Sequence, residues 1–324
     1  MEAEESASLP RRNKEGRRRD DGGDHQDDDP IRTFGDCMKA KEVTACRIIS
    51  SNINGFTKRN RSAMEKSKNK LLRDIIQHSQ MDVLLTQEDN IFWPKTYSEN
   101  RPRERCKGWT RDLRVESAFN TDPREASGKH LQGGTSVYLF DEVANKSGSK
   151  GVDQTLLGRW SWIQVKGRDD TKTRIYSVYR PCRGAGEKSV YSQQVRGLLA
   201  KGDLRCPQEA FWEDLQAEVQ AAMDGGDKIV IGGDFNCDMT SARPKEFMDE
   251  LGLVNPVFEM HGTEGPSTYA RGSKQIDGIM LSSTLQATNA GYLPLICAVG
   301  DHRPIWVDIS VDTMFGACTQ GRLS

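Results

Sequence analysis

KIVIGGDFN, residues 228–236, is the stretch whose reading decides the fold. An apolar run of strand length closes on the glycine pair Gly232-Gly233 and passes directly into Asp234 and Asn236, two polar side chains on one turn. Outward from it the same grammar repeats. CRIIS (46–50), DVLLT (82–86), TSVYLF (135–140), WSWIQV (160–165), RIYSVY (174–179), IDGIML (276–281) and PIWVDI (304–309) are short apolar runs bounded by Gly, Asn, Asp or Pro. Helical spacing appears over residues 62–79, with Leu71, Leu72, Ile75 and Ile76 on one face, and over residues 208–223, with Phe211, Leu215 and Val219. Strands outnumber helices, and several are joined by short loops without crossover helices. The pattern predicts largely antiparallel sheets packed on each other and flanked by helices, not a doubly wound parallel sheet. Trp160 and Trp162 alternate with polar neighbours and are expected to face one core layer.

The rest of the chain sets the boundaries. With 324 residues, 35% of them hydrophobic, it is long enough for one large α/β domain. Residues 1–40 carry almost no large apolar side chains and read as a disordered charged tail; 41–312 read as the folded domain and 313–324 as a C-terminal tail. Residues 101–132 read as a polar surface loop. Net charge is −1, from 46 basic and 47 acidic residues, so the total gives no support to a nucleic-acid partner. The charge is unevenly placed, however: DDGGDHQDDD (20–29) is acidic, which leaves the remainder more basic than the sum. RRNKEGRRR (11–19) is a cluster of the kind that serves nuclear import or phosphate binding, or is simply a solvated tail. The eight cysteines form no C-x-x-C pair and read as reduced thiols; with neither a signal-peptide stretch nor an 18-residue apolar span, a soluble intracellular protein without a membrane or evident protein partner is expected.

Polar residues gather where strands end. CRIIS runs into Asn52 and Asn54, DVLLT into Gln87-Glu88, RIYSVY into Tyr179-Arg180, and KIVIGG into Asp234 and Asn236. Asp277 lies in a strand pattern, and Asp301-His302 leads into another. Carboxylates and amides that repeatedly terminate core strands meet in one crevice. These residue types suit metal-assisted phosphodiester hydrolysis. Glu88, Asp301 and Asn52 or Asn54 would supply the few hard oxygens that magnesium accepts. Asp234, held by Asn236, would activate water. His302 and Tyr179 would offer donors to the phosphate, and Asp277 would fix the histidine tautomer. Arg159, Arg180, Arg183, Arg271 and Lys274 flank these motifs, as DNA-phosphate contacts or as solvated loop charge.

Taken in order, N-x-N-G-F from Asn52, Q-E at Gln87-Glu88, Y-x-P from Tyr179, G-D-F-N through Asn236, I-D-G-I around Asp277 and D-H-R-P from Asp301 resemble the endonuclease/exonuclease/phosphatase superfamily. The resemblance implies an α/β fold, a four-layer α/β/β/α sandwich with two packed, largely antiparallel mixed β-sheets. It makes Glu88 the principal ligand for Mg2+ (Mn2+ substituting), with Asn52 and Asp301 nearby. It makes Asp234 and Asn236 the water-activating pair, His302 and Asp277 the phosphate-stabilising pair, and Tyr179 a phosphate contact. The chain is most similar to apurinic-type endonucleases and to the endonuclease domains of non-LTR retrotransposons, which implies nicking of duplex DNA. It departs from the abasic-site enzymes at Asn54, where they have aspartate, and at Cys182, where they have asparagine. With no reverse-transcriptase segment, a stand-alone, truncated or domesticated relative is expected. The competing readings are a phosphoesterase for inositol phosphates, sphingomyelin or RNA, and an inactive remnant. The tryptophan-cysteine-aspartate signature of inositol phosphatases is replaced by Gln275-Ile276-Asp277, and Glu88, Asp234 and His302 are all intact.

Overall fold

The computed structural model describes residues 34–36, 38–56, 63–96, 106, 108–184 and 186–317. The first half of the chain forms β1 (Ala45–Asn52), α1 (Ala63–His78), β2 (Val83–Gln87), β3 (Leu113–Ala118), β4 (Thr135–Phe140), α2 (Asp141–Asn145) and β5 (Ser147–Val152). Next come β6 (Trp160–Lys166), β7 (Lys172–Tyr179), α3 (Val190–Leu199), α4 (Pro207–Asp224) and β8 (Asp227–Asp234). The remainder forms α5 (Ala242–Leu251), β9 (Leu253–Val254), α6 (Pro256–His261), β10 (Asp277–Ser282), β11 (Ala287–Tyr292), β12 (Ile305–Ser310) and α7 (Val311–Phe315). Among the described residues no helix is long and apolar enough to cross a membrane.

Two six-stranded sheets result, ordered β11-β12-β1-β2-β4-β3 and β5-β6-β7-β8-β10-β9. Only β1–β2 and β7–β8 pair in parallel; the other neighbours are antiparallel. The period-2 pleat explains the layering. Ile48, Val83 and Leu85 point between the sheets, where they meet Ile175, Val230 and Ile279. Ile49 and Leu84 point the other way, onto Leu72 and Ile76 of α1. In the second sheet Tyr176, Ile229 and Ile231 pack outward on Phe211, Leu215 and Val219 of α4, with Trp160 and Trp162 in the same layer. Strands covered on both faces must be apolar on both, so they read as unbroken apolar runs.

Three sequence expectations change. Residues 101–132 are not all loop, because Leu113–Ala118 pairs with β4 along its length. The folded part also extends past 41–312 at both ends. Asp36 exchanges hydrogen bonds with Tyr292 (2.7 and 2.8 Å), and Met314 and Phe315 are buried between the sheets. Arg159 is no phosphate contact: it is 1% exposed and paired with Asp153 (2.7 Å) and Asp214 (2.8 Å). The basic cluster at 11–19, most of the N-terminal tail, Cys37 and Cys318 lie outside the described residues.

Candidate active site

The topology carries the polar strand ends to one place. In each sheet the parallel pair finishes together: Asn52 on β1 lies opposite Gln87 on β2, and Tyr179 on β7 opposite Asp234 on β8. Because β10 runs antiparallel to β8, its first residue, Asp277, also faces Asp234. Likewise β12 starts beside the end of β1, Ile305 against Ser50, which brings the preceding Asp301-His302 to the same edge. Two glycines permit the approach. A Cβ on Gly232 would fall 2.5 Å from a Leu85 methyl on the facing sheet, and one on Gly300 would fall 2.7 Å from the Asn52 carbonyl oxygen.

Hydrogen bonds join these side chains into a unit. Asn52 Nδ2 donates to Asp234 Oδ2 (2.9 Å) and to Glu88 Oε1 (3.3 Å), while its Oδ1 accepts from the Asn54 amide (3.0 Å). The Asn236 amide donates to Asp234 Oδ1 (2.9 Å), and Asn236 Nδ2 donates to the Arg180 carbonyl (2.7 Å). His302 Nδ1 lies 2.9 Å from Asp277 Oδ2 and 3.9 Å from Asp234 Oδ2. Asn54 Nδ2 donates to Asp301 Oδ1 (3.1 Å), and Arg271 Nη2 approaches Asp301 Oδ2 (3.3 Å). Tyr179 is buried with Glu88 and Asp234 as charged neighbours.

Burial and charge set the protonation states. Burial raises the Asp234 carboxyl well above the ordinary range, and the neighbouring Asp277 raises it further. Burial alone would lower His302, but the carboxylate of Asp277 outweighs it and pushes the imidazole up to about 10. Burial, then Glu88, raises Tyr179 well above its usual value, so its hydroxyl stays protonated at neutral pH.

Asp234, Asp277 and His302 offer ligand atoms within 4.8 Å of one another, the one such grouping of three or more acidic, histidine or cysteine residues among the described residues. Asp277 is hydrogen-bonded to His302 and Asp234 to Asn52, so these groups already have partners. Hard oxygen donors with solvent access sit on the other side of Asn52, at half-buried Glu88 and at Asp301, whose side chain is 28% exposed. Four carboxylates (Glu88, Asp234, Asp277 and Asp301) outnumber the cations described near them, His302, Arg271 and Arg180, so oxygen donors with surplus negative charge remain. That is what a hard divalent cation requires.

A profile of the Endonuclease/Exonuclease/phosphatase family matches residues 49–302, from the strand before Asn52 through His302. The chain belongs to that family. No curated protein matches it. Among solved structures, this family member is similar to the human Nocturnin catalytic domain with bound sulfate anion, at TM-score 0.59 and 16% identity over 84% of this chain and 96% of that one. The AP endonuclease LMAP from Leishmania major gives 0.59 and 13% over 82% and 88%. A 3′ phosphatase, NExo from Neisseria, bound to product DNA hairpin, gives 0.56 and 15% over 82% and 99%. At such identities the likeness is one of fold.

The flanking basic residues are dispersed around this candidate site. Arg180 braces the Asp234–Asn236 turn by donating to the Phe235 and Asn236 carbonyls (3.2 and 3.0 Å). Arg183 is exposed, Lys274 is exposed and paired with Asp238 (2.9 Å), and Arg271 lies over the Tyr269 ring (5.2 Å). Sequence reasoning passed over three contributors. Tyr269 covers the imidazole of His302 at 4.9 Å between centroids. Thr268 Oγ1 accepts from the Ile276 and Asp277 amides (2.9 and 3.1 Å) and so fixes the start of β10. Lys68 reaches the turn after Asn52. A threonine, a tyrosine and a lysine in polar stretches carry no signal that one sequence could reveal.

Proposed function

We propose that the chain is a magnesium-dependent phosphodiester hydrolase, with manganese able to substitute, that nicks one strand of duplex DNA. The observation that carries this reading is the shared amide of Asn52, which ties Asp234 (2.9 Å) to Glu88 (3.3 Å) beside the Asp277–His302 pair. One unit thus contains a proton acceptor, a cation edge and a proton donor.

Glu88 and Asp301 hold the ion, Asn54 orients Asp301, and Asn52 presents its N–H to Glu88 and so sets the carboxylate's direction. When bound, the ion neutralises charge developing on the phosphate. Asp234 takes a proton from the attacking water. Its raised basicity suits that task, and Asn52 and Asn236 hold one oxygen each. Asp277 engages His302 Nδ1, which directs Nε2–H of the imidazolium toward a phosphate oxygen. Tyr179 adds a neutral hydroxyl beside Glu88. A DNA substrate is supported by the motif series and by fold relatives named as an AP endonuclease and as a phosphatase with a DNA hairpin.

The test is conversion of supercoiled plasmid to open circle, on intact and abasic duplexes, with magnesium or with EDTA. Nicking that needs magnesium is expected. Phosphate release from inositol polyphosphates without any nicking would contradict the substrate assignment.

A further inference from the structure

We infer that Lys68, on α1, is a positioning residue for this site, its ammonium clamping the turn that joins β1 to the cation edge. The turn and the residue facing it are left-handed, a conformation that Gly55 adopts freely, Asn54 tolerates and Glu88 disfavours. Asn54 has φ 45° and Gly55 φ 85°, and the facing Glu88 has φ 53°. A left-handed glutamate needs surroundings that hold it there. One side of the turn is secured by its amides: Ile53, Gly55 and Phe56 donate to the carbonyls of Gln87 (3.1 Å), Glu88 (2.7 Å) and Asp89 (3.1 Å). On the other side the three successive carbonyls of Ile53, Asn54 and Gly55 receive Lys68 Nζ at 2.9, 3.1 and 3.3 Å. An ammonium has three donors and no acceptor, so it can serve all three carbonyls. Without the cation, three carbonyl dipoles would converge on one point and repel, and the turn would open.

What depends on the turn is the cation edge. Asn52 Oδ1 is held by the Asn54 amide, and Asn54 Nδ2 holds Asp301. The Gly55 amide fixes the carbonyl of Glu88 itself. Lys68 therefore acts on both proposed ligands, Glu88 and Asp301, through the turn. Loss of a partner at this remove from an ion characteristically weakens its binding by about 10–100-fold. The inference rests on the hydrolase reading only for what the edge binds; the clamp itself is a property of the apo chain.

The variant is Lys68→Met, which keeps the stem and the helix preference and removes the charge. Two readouts apply: hydrogen exchange of the Gly55 and Phe56 amides in the cation-free protein, and Mn2+ affinity by electron paramagnetic resonance. Faster exchange at these amides together with about tenfold weaker Mn2+ binding is expected, with an unchanged melting temperature. Wild-type exchange rates in Lys68→Met would overturn the clamp whatever the cation does. Faster exchange with wild-type Mn2+ affinity would overturn its positioning role. Wild-type protein that binds no divalent cation, yet shows the exchange difference, would leave the clamp standing and remove the hydrolase reading instead.

Discussion

Two buried acidic clusters sit in this molecule, and they behave in opposite ways. Between β6 and α4, Arg159 grips Asp153 with two nitrogens (2.7 and 2.9 Å) and Asp214 with a third (2.8 Å), while Thr155 donates twice more to Asp153. Burial would push Asp153 up, but these bonds hold it below the ordinary carboxylate value. At the other cluster burial, then the neighbouring Asp277 and Glu88, raises Asp234 well above that value despite the His302 imidazole. The residue types are alike and so is the burial. The difference lies in what surrounds each carboxylate: a guanidinium and a threonine donate to Asp153, whereas Asp234 has further carboxylates beside it.

The largest effect that sharpens this contrast comes from Asp234→Asn. Removing the proton acceptor is expected to lower nicking about 10⁴-fold. Removing one of several crowded carboxylates should leave the melting temperature at or above that of wild type. Substantial residual nicking would break the contrast. Arg159→Met does the reverse. It leaves Asp153 buried without its cation and should cost at least about 3 kcal/mol in denaturant unfolding, while nicking per folded molecule is unchanged.

Protonation separates the clusters by the direction of their pH dependence. His302 titrates at about 10 when folded and near ~6.5 when unfolded, so its contribution is complete below the lower value and is lost as pH rises toward the upper one. Asp153 is depressed, so its contribution is present above the unfolded value of ~3.9 and is lost as pH falls through the folded one. Thermal melts of Asp277→Asn in EDTA should show the alkaline loss greatly reduced and the acid loss intact. The smallest effect is expected from Arg271→Gln. The side chain is 75% exposed and its pair with Asp301 is long at 3.3 Å, so stability should change by no more than ~1 kcal/mol in denaturant unfolding.

What the sequence made legible follows the same logic of environment. The eight strands read from apolar runs are β1, β2, β4, β6, β7, β8, β10 and β12, and each is interior to its sheet. The four passed over, β3, β5, β9 and β11, are the four edges. Edge strands such as SGSKGV at β5 and LRVESA at β3 carry charge and glycine because one side faces no partner strand, and they take their conformation from the neighbour they pair with. The convergence of Asn52, Glu88, Asp234 and Asp277 could be read because they stand at the ends of apolar runs. Lys68 could not, since its partners are backbone carbonyls and leave no trace in residue identity.

The most direct measurement is the magnesium dependence of plasmid nicking by wild type and by Glu88→Gln. The account predicts saturable nicking by wild type, none in EDTA, and a requirement for about 10–100-fold more magnesium once the carboxylate is replaced. Nicking by wild type in EDTA, or a Glu88→Gln curve that overlays wild type, would contradict it.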